Sequence, residues 1–196
     1  MKPAVNFGSS GFLISGSPSS GLNMPRVALD RLSIRPATPA DAAACTAGAR
    51  VVAATPGGLA SLPHELREEA VLQHILALSD PKKGAYLVAE REGVLLGHTW
   101  LERYGPELTA HVAHLMIVVY QPFQGQGVGR ALLNALIDRA RAHPDIEKLE
   151  LRVRATNLRA RALYVSVGFE EEGLFRRRIK LENGYLDDVS MALWVG

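Results

Sequence analysis

The stretch Met116-Ile-Val-Val-Tyr-Gln-Pro-Phe-Gln-Gly-Gln-Gly-Val-Gly-Arg-Ala-Leu-Leu133 decides the fold. Its first residues are apolar and β-branched, Pro122 stops the run, three glycines follow at alternate positions, and apolar residues then recur at helical spacing. That order reads as a strand, a tight loop and a helix. Glycine has no Cβ, so Gly125, Gly127 and Gly129 let the backbone turn sharply and let a ligand approach the main chain closely. The first amides of the following helix have no partners within it and sit at the positive end of its dipole, where they can bind phosphate. The simpler alternative is a glycine-rich turn that caps an ordinary helix.

Two familiar phosphate loops do not fit. The dinucleotide pattern G-x-G-x-x-G fails because Arg130 stands where its last glycine belongs, and no Gly-Lys-Ser/Thr follows to make a Walker loop. Gln124-x-x-Gly127-x-Gly129 instead resembles the acyl-CoA pyrophosphate loop of the GNAT superfamily of N-acetyltransferases. The resemblance implies acetyl-CoA as the acetyl donor. It also implies a donor-binding set of Ile117, Val118 and Val119 at the strand end, Gln124, Gly125, Gln126, Gly127, Val128, Gly129 and Arg130 in the loop, and Asn157 downstream.

Length and composition agree with one α/β domain. A chain of 196 residues with 47% hydrophobic residues can bury a real core. The formal net charge is +2 with both signs interspersed, and no aromatic-studded basic patch appears, so nucleic acid is not the expected partner. The single cysteine, Cys45, excludes an internal disulfide framework and a cysteine-based metal cluster, in keeping with a cytoplasmic location. No run is apolar enough to span a bilayer, and no membrane partner is expected. Residues 1–30, rich in Gly and Ser up to about Pro25, read as a flexible leader, with Met24 as an alternative start; residues 31–196 read as the domain. A homodimer is compatible with this composition.

In chain order, Leu32 to Pro36 alternates as a strand. Thr38-Pro-Ala-Asp41 caps a helix to about Ala53, and Leu62 to Leu78 forms a second, apolar at Leu66, Ala70, Ile75 and Leu78. Ala85 to Glu90 and Val94 to Arg103 form a hairpin, and His111 to Tyr120 is a longer strand that feeds the glycine loop. Val128, Leu132, Leu136 and Ala140 mark the inner face of the next helix, while Arg130, Asn134 and Arg141 point outward. Leu149 to Arg154 is a strand, Asn157 to Val167 a helix, and Phe169 to Lys180 and Tyr185 to Val195 are closing strands around Glu182-Asn-Gly184. This order resembles the GNAT fold from about Leu32 to Trp194: a mixed α+β class with a mostly antiparallel sheet of six to seven strands and about four helices.

A second motif, Leu151-Arg-Val-Arg-Ala-Thr-Asn157 through Tyr164 to Gly168-Phe169, resembles the other GNAT signature. Seven residues make nearly two helical turns, so Asn157 and Tyr164 share a face about 10 Å apart along the axis, within reach of one extended ligand. Asn157 is also a favoured N-cap, and Gly168 a favoured C-cap. The resemblance implies direct attack of a primary amine on acetyl-CoA, with no metal. An amide near Val119 would meet the developing oxyanion, and Tyr164 would be the general acid for the leaving sulfur.

The base is open. Alanine acetyltransferases of ribosomal proteins, which this motif resembles, carry a glutamate five residues before the asparagine; here that residue is Arg152, which weakens the case for a ribosomal-protein acceptor. The remaining candidates are His111, His114 and Glu102, directly or through water, each also readable as an ordinary surface or core residue. Cys45 reads as core, and Glu65, Glu68 and Glu69 as a solvated face or a lure for a cationic acceptor. Arg159 and Arg161 read as contacts to the CoA 3′-phosphate or as solvated charges. Gly184-Tyr-Leu-Asp187 before Met191-Ala-Leu193 resembles a subgroup that acetylates free amino acids or related small amines, although a hairpin needs Asn183-Gly184 in any case. A peptide N-terminal acetyltransferase and a catalytically silent acyl-CoA sensor are the rival readings.

Overall fold

The computed structural model describes residues 31–196, so the expected leader lies outside the described residues. The strands are β1 (Ser33–Pro36), β2 (Gly84–Arg91), β3 (Val94–Arg103), β4 (Val112–Val119), β5 (Lys148–Arg154), β6 (Glu170–Leu181) and β7 (Gly184–Trp194). The helices are α1 (Ala42–Ala53), α2 (Glu68–Ala77), α3 (Val128–Arg141) and α4 (Leu158–Val165). The strands make one sheet in the order β1-β2-β3-β4-β5-β7-β6, antiparallel at every junction except β4 with β5.

Strand alternation divides the core between the two faces of this sheet. Tyr86 and Val88 of β2 pack with Ala42 and Cys45 of α1, Ile75 of α2 and Leu78 at the end of α2. Ala85 and Leu87, on the opposite face, join Leu115 of β4, Leu149 and Leu151 of β5, Leu133 and Leu136 of α3, and Tyr164 of α4 in the largest cluster. The α1/α2 face and the α3/α4 face are therefore separate layers.

The second helix departs from expectation. Its predicted first turn is a short 3-10 turn, Pro63–Glu65, after which Leu66 and Arg67 are extended and α2 begins at Glu68. The Glu65 carboxylate accepts the Leu62 N–H at 2.7 Å, closing that turn on itself. The Leu66 carbonyl, which a continuous helix would have used, accepts Arg50 Nε of α1 at 2.9 Å. The buried stripe shifts accordingly: Ile75 and Leu78 are buried with Val71 and Leu72 packed beside them, while Ala70 faces solvent. The freed segment between α1 and α2 crosses over the C-terminal ends of the central strands. Gln121 Nε2 donates to Thr55 Oγ1 at 3.0 Å, and Arg154 Nε donates to the Gly57 carbonyl at 3.1 Å.

Candidate active site

β4 and β5 pair at three positions only, Val112 with Lys148, Ala113 with Leu149 and His114 with Glu150. Beyond them β4 continues to Val119 and β5 to Arg154 without pairing, while each stays hydrogen-bonded on its other side, to β3 and β7. The sheet thus opens into a slot. Tyr120 N–H donates to the Leu96 carbonyl and Tyr104 N–H to the Val112 carbonyl, both at 3.0 Å, so the even residues of β4 bond β3. By alternation, the peptide groups of Leu115, Ile117 and Val119 face the slot. Such a row of unpaired peptide groups can take an extended amide ligand as an added strand. Val118 differs from its neighbours: its peptide groups face β3 and its side chain is buried, so it has no group in the slot.

The glycine loop closes the open end of the slot. Gly125 and Gly127 have φ of +82° and +86°, and Gly127 is the N-cap of α3. Both angles lie where a side chain is strained, and the intervening turn aims successive amides outward as an anion seat. A Cβ at Gly125 would lie 2.4 Å from Arg159 Nη2, so a guanidinium of α4 rests against the loop. Gln124 Nε2 donates to the Val119 carbonyl at 3.0 Å and Gln126 Nε2 to the Pro122 carbonyl at 2.7 Å, pinning the loop to the strand end. Gln126 Oε1 is buried with no hydrogen-bond partner. Arg130 Nη2 donates to Ser166 Oγ at 2.8 Å and ties α3 to α4. A bare amide row, a glycine cradle and an adjacent guanidinium fit a diphosphate ester carrying an amide-rich arm.

Across the slot, Asn157 Oδ1 accepts the Ala160 N–H at 3.1 Å, the capping role, and its amide nitrogen has no partner among the described residues. Tyr164 is 9% exposed, with its ring 5.9 Å from that of Phe169, and burial pushes its hydroxyl up to about 12. Gly129, Leu163 and Val119 approach one another, so the middle of α4 lies beside the end of β4. The two arginines of α4 separate: Arg159 lies on the loop, whereas Arg161 binds Glu171 and the Ala155 carbonyl and anchors the helix.

The α1/α2 side of the slot is aromatic and polar. His114 stacks on Tyr104 at 5.4 Å and meets Trp100 edge-on at 4.9 Å, and its Nδ1 is buried without a partner. Burial holds His114 below the usual histidine range. The Tyr104 hydroxyl donates to Glu150 Oε2 at 3.1 Å. Deeper, His98 Nδ1 and the Tyr120 hydroxyl share a 2.9 Å hydrogen bond, and burial pushes His98 down to about 4. Burial pushes the Cys45 thiol up to about 11, which agrees with core packing and not with a nucleophile.

Of the base candidates, His114 alone lines the slot. His111 precedes β4 at the paired end, with its carbonyl held by Glu147 N–H, roughly 26 Å of strand from Val119. Glu102 lies opposite His114 in β3 but is engaged by His74 Nε2 at 3.2 Å. Glu65 closes its own turn, and Glu68 and Glu69 are exposed in the first turn of α2. Sequence reasoning missed Tyr104, His98 and Glu150. The signal for Glu150 was present in Lys148-Leu-Glu-Leu-Arg-Val-Arg154, where Lys148, Glu150, Arg152 and Arg154 alternate onto one face. Among the described residues, no cluster of His, Cys, Asp and Glu is placed to hold a metal, and no helix is long and apolar enough to cross a membrane.

The chain is similar to known proteins. The family model for the acetyltransferase (GNAT) family matches residues 55–169. N-alpha-acetyltransferase RimI of Mycobacterium tuberculosis is 39% identical over 92 residues, 47% of this chain and 56% of that protein. L-amino acid N-acetyltransferase AaaT of Escherichia coli is 32% identical over 107 residues, 54% of this chain and 65% of that protein. The chain thus spans between about half and two thirds of the length of these curated relatives. Among solved structures, the acetyltransferase yncA of Salmonella typhimurium, determined with acetyl-CoA, superposes with a TM-score of 0.77 at 23% identity over 85% of this chain and 95% of that one.

Proposed function

We propose, since the chain belongs to the GNAT family of acetyltransferases, that it moves acetyl from acetyl-CoA to a primary amine of a small molecule, an amino acid or related amine, with both bound together. The observation that carries this reading is the slot between β4 and β5, closed by the glycine loop on one end and lined by His114 and Tyr104 on the other. Similarity to an amino-acid acetyltransferase supports the acceptor class.

Bound here, acetyl-CoA supplies the acetyl group as an already activated thioester. The N–H group of Ile117 and the free amide nitrogen of Asn157 would hold its amide-bearing arm. The amides from Gly125 to Gly129, with Arg159 and Arg130, would hold its phosphates, while Gln124, whose N–H bonds the Gln121 carbonyl, holds the loop in place. The Val119 N–H is the donor for oxyanion charge that develops during transfer. Tyr164 keeps its proton throughout the neutral range because burial disfavours the phenolate, so Oη can donate toward the leaving sulfur.

An alkyl amine must lose a proton before it attacks. His114 is neutral at pH 7 for the reason given above, and its unpartnered Nδ1 can accept one. Three residues of strand, about 10 Å, separate it from Ile117, so the proton travels through water. Holding amine and thioester together supplies much of the acceleration by converting a bimolecular encounter into an internal one.

The 39% identity to RimI favours a second reading, a peptide N-terminus as acceptor. Thiol release measured across amino acids, polyamines, aminoglycosides and short peptides tests both. Turnover with small amines is expected; turnover confined to peptides would replace the first reading with the second, and none at all would leave an acyl-CoA sensor.

A further inference from the structure

The α1/α2 face of β5 carries four charges, Lys148, Glu150, Arg152 and Arg154, and among the described residues three of them are matched by an opposite charge. Lys148 Nζ binds Glu150 at 3.0 Å and Glu172 at 2.9 Å. Arg154 is paired with the buried Asp188 carboxylate. Arg152, between them in sequence and on the same face, has no carboxylate partner among the described residues; its guanidinium instead lies 5.1 Å from the centre of the Phe175 ring. An arginine left without a counter-charge, yet steadied by an aromatic face, is positioned to take an anion from solution.

Its place in the slot suggests which anion. His114 is the last residue of β4 paired to β5, opposite Glu150, so Arg152 stands level with Met116, just where the two strands separate. The charge of Arg152 acts on both Tyr104 and His114, which puts it beside the group that receives the acceptor's proton. Ser190, half-buried, is its direct partner across β7 and brings a hydroxyl to the same face. From this level, Ile117 and Val119 lie roughly 3–10 Å further along β4, a gap that an arginine side chain and a small zwitterion cover together.

We propose that Arg152, assisted by the Ser190 hydroxyl, binds the carboxylate of an acceptor that carries amine and carboxylate on one carbon, and so selects free α-amino acids over amines whose carboxyl is blocked. The planar guanidinium offers two parallel N–H donors to a carboxylate, while the same charge repels a cationic approach at this point. This inference deepens the proposed function and rests on it.

The test compares kcat/KM for alanine, methionine and phenylalanine with that for their carboxamides and for an alanine-initiated tripeptide amide. The wild type is expected to prefer the acids. Arg152→Gln should reduce the acid-to-amide ratio roughly tenfold or more through KM, with kcat much less affected and the Kd for acetyl-CoA, read by calorimetry, unchanged. Arg152→Lys should recover part of the ratio, and Arg152→Glu should invert it. A wild type indifferent to amidation, or a ratio that Arg152→Gln leaves intact, overturns the role of Arg152 while the acetyltransferase reading stands. If neither acids nor amides are acetylated although acetyl-CoA binds, the proposed function fails first and this inference with it.

Discussion

Tyr164 is held by packing alone. Its ring lies in the main cluster against Phe169, and no described side chain hydrogen-bonds its hydroxyl, so removing the hydroxyl costs the fold little. Tyr164→Phe should therefore melt within a few degrees of the wild type and bind acetyl-CoA with similar Kd, while thiol release falls roughly tenfold or more. His98 makes the opposite prediction, for stability and not for turnover. Buried and neutral, it refuses a proton that the unfolded chain accepts below pH about 6.5 and that the fold accepts only near about 4. Stability should thus fall as pH drops through that interval, by about 3 kcal/mol at most, and His98→Gln should flatten the fall in urea melts. The Asn157 and Tyr164 spacing was legible because both lie on one helix, where period alone sets the face. His98 was not, since its burial depends on α1 lying over β3, and nothing local to it signals that.

At the level of elements, the loop before α3 is tightly constrained. Two positive-φ glycines, Gly125 and Gly127, sit in it, and a Cβ at Gly125 meets Arg159. Gly125→Val should raise the acetyl-CoA Kd tenfold or more and cost about 1–2 kcal/mol from the left-handed backbone. The glycine spacing announced this loop without help from the rest of the chain. The start of α2 was not announced, because Leu66 gives its carbonyl to Arg50, sixteen residues earlier, and a pattern of apolar positions carries no information about that bond. The junction of β1 and α1 offers a further check. Asp41 accepts two hydrogen bonds from Arg35, at 2.8 and 2.9 Å, and the guanidinium pulls its carboxyl down to about 2. Its contribution is complete above pH about 4 and is lost as pH falls toward 2. Asp41→Asn should cost about 1–2 kcal/mol at pH 7, allowing for the partial exposure of Arg35, and almost nothing at pH 2.

Over the whole molecule, the proposed activity depends on the parting of two central strands of the sheet. Six junctions hold the seven strands together, and the parallel one stops after three residue pairs. The individual strands were legible from alternation, and so was their resemblance to an acetyltransferase fold. Where β4 and β5 part was not, since alternation within a strand is the same whether its neighbour is paired or absent. The consequence of that parting, where His114 and Arg152 stand relative to the slot, belongs only to the assembled sheet. A ligand that fills the slot replaces the missing strand, so saturating acetyl-CoA at about 100 times its Kd should stabilise the fold by roughly 2.7 kcal/mol and raise its Tm. The most direct measurement is a calorimetric titration of acetyl-CoA into the purified full chain. A single site with Kd between about 1 μM and 1 mM, weakened by Gly125→Val and retained in Tyr164→Phe, is the predicted result; no heat of binding at millimolar acetyl-CoA would contradict it.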